Sequence, residues 1–253
     1  MRQWEIGQGE QVGGRSEQQD RFEAFVLDDA STCLLVVADG MGGRPRGGDA
    51  AAAVIDSARM VMQNRADRDE LDGPSVLRDI CMTAHNATQG LTDDPKEGPR
   101  ATCTAFYAES NEGYWVSVGD SRLYRFRGHE LVERTRDQSV VKLLVDMGEI
   151  TEDEIREHPD RRFVIGSLGG EEPPKLVIGE ATIRHGDSIV LCTDGLWDSI
   201  EPEEMIETAM AADLDTAANV LAETVAKRAG AKSDNVTVVV GRLKRRDTPW
   251  PWG

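Results

Sequence analysis

Thr32-Cys33-Leu34-Leu35-Val36-Val37-Ala38-Asp39-Gly40-Met41-Gly42-Gly43 is the stretch whose reading decides the fold. The apolar run Thr32–Ala38 reads as a strand that stops on a carboxylate, after which glycine takes over. Before it, Phe22–Leu27 reads as another strand, with Asp28–Ser31 as the turn between the two. After the glycine-rich loop, a helix runs from about Asp49 to Asn64. Its Val54, Ile55, Ala58 and Met62 recur at helical spacing and belong to the core. A second helix covers about Ser75–Gln89. Strands follow at Thr102–Ala108, Gly113–Val118 and Arg122–Arg127, and Gly128-His129 turns into Glu130–Glu133. Residues 137–160 change character and read as two short helices, the second opened by a capping box from Thr151 to Glu154. Strands return at Lys175–Ile183 and Ser188–Cys192. Pro202 starts one helix, Asp213 caps another that runs to about Arg228, and Asn235–Leu243 is the last strand. Strands and helices come in clusters, not in alternation. That pattern predicts an α+β fold of antiparallel sheets with helices packed outside, rather than a doubly wound parallel sheet.

The 253 residues are enough to bury a sizeable core. No long Pro/Ser/Gly-rich or single-charge stretch divides them, so one domain over residues 1–243 is expected, followed by a short, mobile Pro/Trp tail, 244–253. The net charge of −17, from 46 acidic and 29 basic side chains, repels the phosphates of nucleic acids and anionic membranes. Neither is an expected partner, and a monomer is. No apolar run reaches the roughly 18–20 residues of a membrane span, and the first residues carry no signal-peptide pattern. The four cysteines (Cys33, Cys81, Cys103, Cys192) are widely spaced and read as buried free thiols in a reducing cytoplasm. The four histidines form no i, i+4 pair, so any metal chemistry here is oxygen chemistry.

Five aspartates recur at the edges of β runs. Asp20 precedes the strand at Phe22, Asp39 ends Leu34–Ala38, Asp120 follows Val116–Gly119, Asp194 ends Ile189–Thr193, and Asp234 stands before Asn235 and Val236–Val240. Carboxylates at the ends of neighbouring strands can meet on one rim of a sandwich and offer the oxygen ligands that hard divalent cations require. A glycine after the aspartate allows a sharp turn and an unshielded carbonyl. Asp-Gly is also a common turn dipeptide, and Asp72-Gly73, which follows no strand, reads as a plain turn between helices. Spacing alone leaves the turn and metal readings both open. The glycine-rich loop matches neither G-x-x-x-x-G-K-[ST] nor G-x-G-x-x-G, which argues against a nucleotide or dinucleotide site.

Taken in order, these pieces resemble the bacterial branch of the 2C-class (PPM) protein phosphatases over about residues 11–241. Arg15-Ser16-Glu17-Gln18-Gln19-Asp20 is similar to the family's R-x-x-N-Q/E-D. Val37–Gly43 matches V-A-D-G-M-G-G, Val118–Arg122 matches V-G-D-S-R, Cys192–Leu196 matches S/C-T/S-D-G-L, and Asp234–Thr237 matches D-N-I/V-T. The resemblance implies two stacked antiparallel sheets flanked by helices on both outer faces. It also implies hydrolysis of phosphoserine and phosphothreonine on proteins by metal-activated water, opposing a serine/threonine kinase. It further implies two Mn²⁺ or Mg²⁺ ions, with a third held loosely. By the same resemblance Asp39 bridges two ions, with the Gly40 carbonyl on one of them; Asp194 and Asp234 complete the first site, Asp20 serves the second, and Asp120 helps hold the third. Arg15 grips the substrate phosphate, and residues 137–165 form the variable flap.

The sequence departs from the family at several points. Gln18 replaces Asn beside Arg15, Arg44 and Gln138 replace frequent histidines, and Ala101-Thr102-Cys103 replaces Gly-Thr-Thr. Met41 stands where the eukaryotic branch has a histidine proposed as general acid. Arg44, Arg46, Arg122 and Arg136 lie near the motifs and read as solvated surface residues. Two other readings stay open, a pseudophosphatase acting as a regulatory binding module and a phosphatase of a small phosphorylated metabolite.

Overall fold

The structure, a computed structural model, describes residues 2–27, 31–41, 46–64 and 72–245. These contain ten strands in two five-stranded sheets. One sheet runs in the order β1 (Arg2–Gln11), β10 (Val236–Arg245), β9 (Asp187–Cys192), β6 (Arg122–Arg127), β7 (Glu130–Arg134). The other runs β2 (Arg21–Val26), β3 (Thr32–Ala38), β4 (Cys103–Glu109), β5 (Glu112–Val118), β8 (Val177–Thr182). Every pairing is antiparallel. Helices α1 (Gly47–Gln63) and α2 (Gly73–Gln89) cover the second sheet. Helices α4 (Asp194–Trp197), α5 (Pro202–Met210) and α6 (Leu214–Ala229) cover the first. The clustering of elements in the sequence therefore gives a four-layer α/β/β/α sandwich.

The central strands show why β3 has no polar side. Leu34, Val36 and Ala38 pack on α1 and α2, while Cys33, Leu35 and Val37 face Trp4, Phe106, Leu191 and Val239 between the sheets. Strand β10 divides in the same way, with Val236, Val238 and Val240 under α4–α6 and Val239 and Leu243 between the sheets. Both faces are dry, so the period of two is hidden in a continuous apolar run. Each fully buried Leu or Val contributes about 1.5–3 kcal/mol relative to exposure.

Several boundaries move from those the sequence predicts. Strand β1 is absent from the sequence reading, because only Trp4 and Ile6 mark it and glycines interrupt it. Those glycines serve packing: a Cβ on Gly7 would lie 2.2 Å from the Leu214 carbonyl oxygen, and one on Gly9 2.3 Å from that of Ala218. Their absence of side chains lets α6 lie directly on the edge strand. Asp72 is not a plain turn residue; its carboxylate accepts from Ser75 N at 2.8 Å and caps α2. The flap holds one helix, α3 (Val140–Met147), and a single 3₁₀ turn at Ile155–Glu157 in place of the second. Glu154 accepts from Thr151 N at 2.7 Å, but this half of the capping box closes a turn only. Strand β10 runs to Arg245, two residues into the predicted tail, and 246–253 lie outside the described residues. No helix among the described residues is long and apolar enough to cross a membrane. All four cysteines are buried and free.

Candidate active site

Asp39 and Asp194 follow the central strands β3 and β9, and Asp234 stands two residues before β10. Local chemistry fixes each. Asp39 is held through its backbone: its N–H donates to Thr102 Oγ1 at 2.9 Å, and Thr102 N donates back to its carbonyl at 2.9 Å. The same Thr102 hydroxyl shares a hydrogen bond of 2.7 Å with Ser121, next to Asp120. Gly40 then passes so close to the start of α1 that a Cβ would lie 2.3 Å from the Gly47 oxygen. The Asp120 turn needs Gly119 at φ +103°, and the Trp197 indole donates to the Asp120 carbonyl at 2.9 Å. Asp194 opens α4, and Gly195 lets that helix press on the chain after Asp234; a Cβ there would lie 2.0 Å from the Asn235 oxygen.

Asp20 arrives on the loop between β1 and β2 and is buried. Thr193 Oγ1 donates to its Oδ2 at 2.7 Å. Asn235 holds the loop: its Nδ2 donates to the Val12 and Glu17 carbonyls at 2.9 and 3.0 Å, and its Oδ1 accepts from Gln19 N at 2.8 Å. Gln18 does not reach alongside Arg15. It turns inward, donating to the Gln11 carbonyl at 3.3 Å and accepting from Asp20 N at 3.1 Å. Arg15 itself is exposed and donates through Nη2 to Asp234 Oδ2 at 2.6 Å.

The electrostatics report how tightly the carboxylates gather. Burial, and then the charges of Asp20, Asp194, Asp120 and Asp234, push Asp39 well above the ordinary carboxylate range. Burial and the charges of Asp194 and Asp234 raise Asp20 to about 7, against the Thr193 hydrogen bond. Burial, Asp234 and Asp198 raise Asp194 to about 6. Burial, Asp194 and Asp137 raise Asp120 well above its usual value. The five sequence-predicted aspartates thus form one mutually repelling group at one end of the sandwich. A cleft of about 200 Å³ opens on Asp120, Asp194 and Asp234.

Asp198 is a member the sequence reading missed. It lines the same cleft and stands four residues after Asp194, so the two share a helix face. Only the helical state of residues 194–197 reveals this, and four residues carry no periodic signal. Arg122 is a correction: it is no solvated surface residue but a largely buried one. It forks onto Asp137 at 2.8 and 2.6 Å and lies 3.5 Å from the centre of the Trp197 ring. Arg46 and Arg136 are exposed and pair with Asp49 and Asp146. Gln138 ties the flap to the Asp120 turn; its Oε1 accepts from Gly119 N at 3.2 Å and its N–H donates to the Gly119 carbonyl at 2.8 Å. Arg44 and the pair Gly42-Gly43 lie outside the described residues.

Residues 10–230 match the model of the family described as protein phosphatase 2C. The chain belongs to the protein phosphatase 2C family. The serine/threonine protein phosphatase PstP of Mycobacterium tuberculosis is 37% identical over 216 residues, 83% of this chain but 40% of its own length. The chain thus spans about two-fifths of that relative. The protein phosphatase PhpP of Streptococcus pneumoniae is 26% identical over 240 residues, 92% of this chain and 94% of its own. Among solved structures, the catalytic domain of PstP in complex with two manganese ions superposes with a TM-score of 0.78 at 29% identity, covering 97% of this chain and 100% of that one. The two stacked antiparallel sheets are those the family resemblance implies.

Proposed function

We propose that this chain is a metal-dependent protein-serine/threonine phosphatase, hydrolysing phosphoserine and phosphothreonine with Mn²⁺ or Mg²⁺. The observation that carries the reading is the convergence of Asp20, Asp39, Asp120, Asp194 and Asp234, each of which sits in the field of others. Like charges gathered this way are stable only when protonated or when divalent cations share them. The donor set is oxygen alone, which fits such ions. Among the described residues no group of three acidic, histidine or cysteine side chains is already placed to hold an ion.

Asp39 would serve two ions, with the Gly40 carbonyl on one. Asp194 and Asp234 would complete the first site and Asp20 the second, while Asp120, with Asp198 beside it, would hold a third. When bound, the ions would supply Lewis-acid screening of the phosphate charge and a water acidic enough to attack at neutral pH. Arg15 contributes the phosphate grip. Its Nη2 is on Asp234, and the rest of its planar fork can take phosphate oxygens against the net charge of −17. Thr193 holds Asp20 in place, and Asn235 holds the loop that carries both Arg15 and Asp20. Burial drives the Cys33 and Cys192 thiols far up, so neither is available as a nucleophile, which favours water in that role. A serine/threonine kinase would be the opposing partner, and the buried free thiols suit a reducing cytoplasm.

The test is hydrolysis of p-nitrophenyl phosphate and a phosphothreonine peptide, with EDTA, Mg²⁺ or Mn²⁺, by wild type and Asp39→Ala. Turnover that needs the ion and disappears in the variant is expected. A folded wild-type protein inactive with either ion would overturn the reading.

A further inference from the structure

Cations stand beside Glu152, Asp198 and Glu201 on the rim of the cleft next to Asp194. Arg134 at the end of β7, Arg162 in the flap and Lys232 in the turn before Asp234 all line it. Among the described residues none of the three has a hydrogen-bond or ion-pair partner through its side chain, although the chain carries 46 acids against 29 bases. Nearby cations are taken: Arg122 by Asp137, Arg136 by Asp146 and Lys142 by Glu152. Of the acids on the same cleft, Glu152 is engaged by Lys142 with Arg134 nearby, Glu201 sits in the capping box of α5, and Asp198 belongs with the carboxylates beside Asp194. An acidic chain that leaves three cations unpaired around one cleft presents them to an anion from outside.

The inner carboxylates already account for the reacting phosphate through the ions they would hold. We propose that Arg134, Arg162 and Lys232 form a separate anion subsite, which binds a second negative group on the substrate, a carboxylate or another phosphate, close to the phosphoester being hydrolysed. The proposal rests on the phosphatase reading above and names the class of phosphoprotein that the site selects. A cleft of about 200 Å³ has room for one phosphorylated side chain with a neighbouring acidic group beside it.

The test compares kcat/KM, with saturating Mn²⁺, on three phosphothreonine peptides: one flanked by alanines, one by aspartates and one carrying a second phosphorylated residue. Wild type is set against Arg134→Gln, Arg162→Gln, Lys232→Gln and the triple variant, and p-nitrophenyl phosphate, which has no flanks, reports on the metal centre separately. The expected result is a wild-type preference for acidic flanks, expressed in KM, that shrinks up to about fivefold per neutralised cation. Arg162→Glu should turn the preference towards basic flanks, and Arg162→Lys should keep part of it. The more favoured of the two acidic peptides identifies the anion. Wild-type turnover indifferent to flanks, or a preference that survives the triple change, overturns the subsite alone. A wild-type protein that hydrolyses none of the substrates, p-nitrophenyl phosphate included, overturns the phosphatase reading and the subsite with it.

Discussion

Replacing Asn235 with alanine removes three hydrogen bonds in one step, those to the Val12 and Glu17 carbonyls and from Gln19 N. The residue is 5% exposed, so no water takes over inside its own site. At about 1 kcal/mol net per bond the loss is about 3 kcal/mol, reduced to about 2 because Val12 and Glu17 lie on an exposed stretch and regain solvent. A domain with 5–15 kcal/mol of total stability survives this. The consequence falls on the loop, since the segment Asn235 ties down carries Arg15 and ends at Asp20. Displacing such groups by about 1 Å can cost on the order of a hundredfold in rate. Urea denaturation of wild type, Asn235→Ala and Asn235→Asp, alongside Mn²⁺-dependent turnover of a phosphothreonine peptide, measures both parts. The aspartate keeps the acceptor for Gln19 but turns a buried carboxylate oxygen towards the Val12 and Glu17 carbonyls beside Asp234, so it should be the least stable of the three. A loss below about 1 kcal/mol with turnover within twofold of wild type would refute the argument that Asn235 positions the loop.

Gly195→Ala should cost about 3 kcal/mol, or roughly 6–12 °C in Tm, because its Cβ meets the Asn235 oxygen at 2.0 Å; an unchanged melting curve would contradict that contact. Arg122→Lys loses the fork onto Asp137 and the stack on Trp197, and should lower stability in urea by about 2 kcal/mol. In EDTA, stability should rise as pH falls from 8 towards 5. Asp20 and Asp194 have values of about 7 and 6 when folded against 3.8 when unfolded, so the folded chain takes up protons first and its repulsion is relieved. Asp194→Asn should be more stable than wild type in EDTA at pH 8 and should flatten this dependence, as thermal melts across the range would record.

The legible part of the site is the part attached to apolar strands. Asp39 and Asp194 stand out because each ends a run that can only be a buried strand, and Asp20, Asp120 and Asp234 become visible through the motifs around them. Asp198 has neither support. Its place follows from a four-residue helix that exists because Gly195 fits under Asn235, a tertiary fact. Arg122 is misread for a similar reason: its counter-charge, Asp137, is fifteen residues away, and no local pattern links them. Strand β1 is hidden by Gly7 and Gly9, whose lack of side chains weakens the local strand signal while making the contact with α6 possible. In the flap, propensity predicts a second helix that the chain does not complete, because Thr151 and Glu154 satisfy each other within one turn.

Among the described residues strand β1 has only β10 as its neighbour in the sheet, with Arg2 opposite Arg245 and Gln11 opposite Val236. During synthesis, residues 2–11 therefore wait for residues 236–245 before they can pair. Contacts so distant along the chain form late and slowly, and an edge left open meanwhile invites the wrong partner. The same final stretch brings Asp234 and the side chain of Asn235 that pins the Arg15 loop. A nascent or shortened chain that lacks β10 is thus missing a central strand of its sheet and a corner of the candidate site together, so completing the sheet and completing the site become one event.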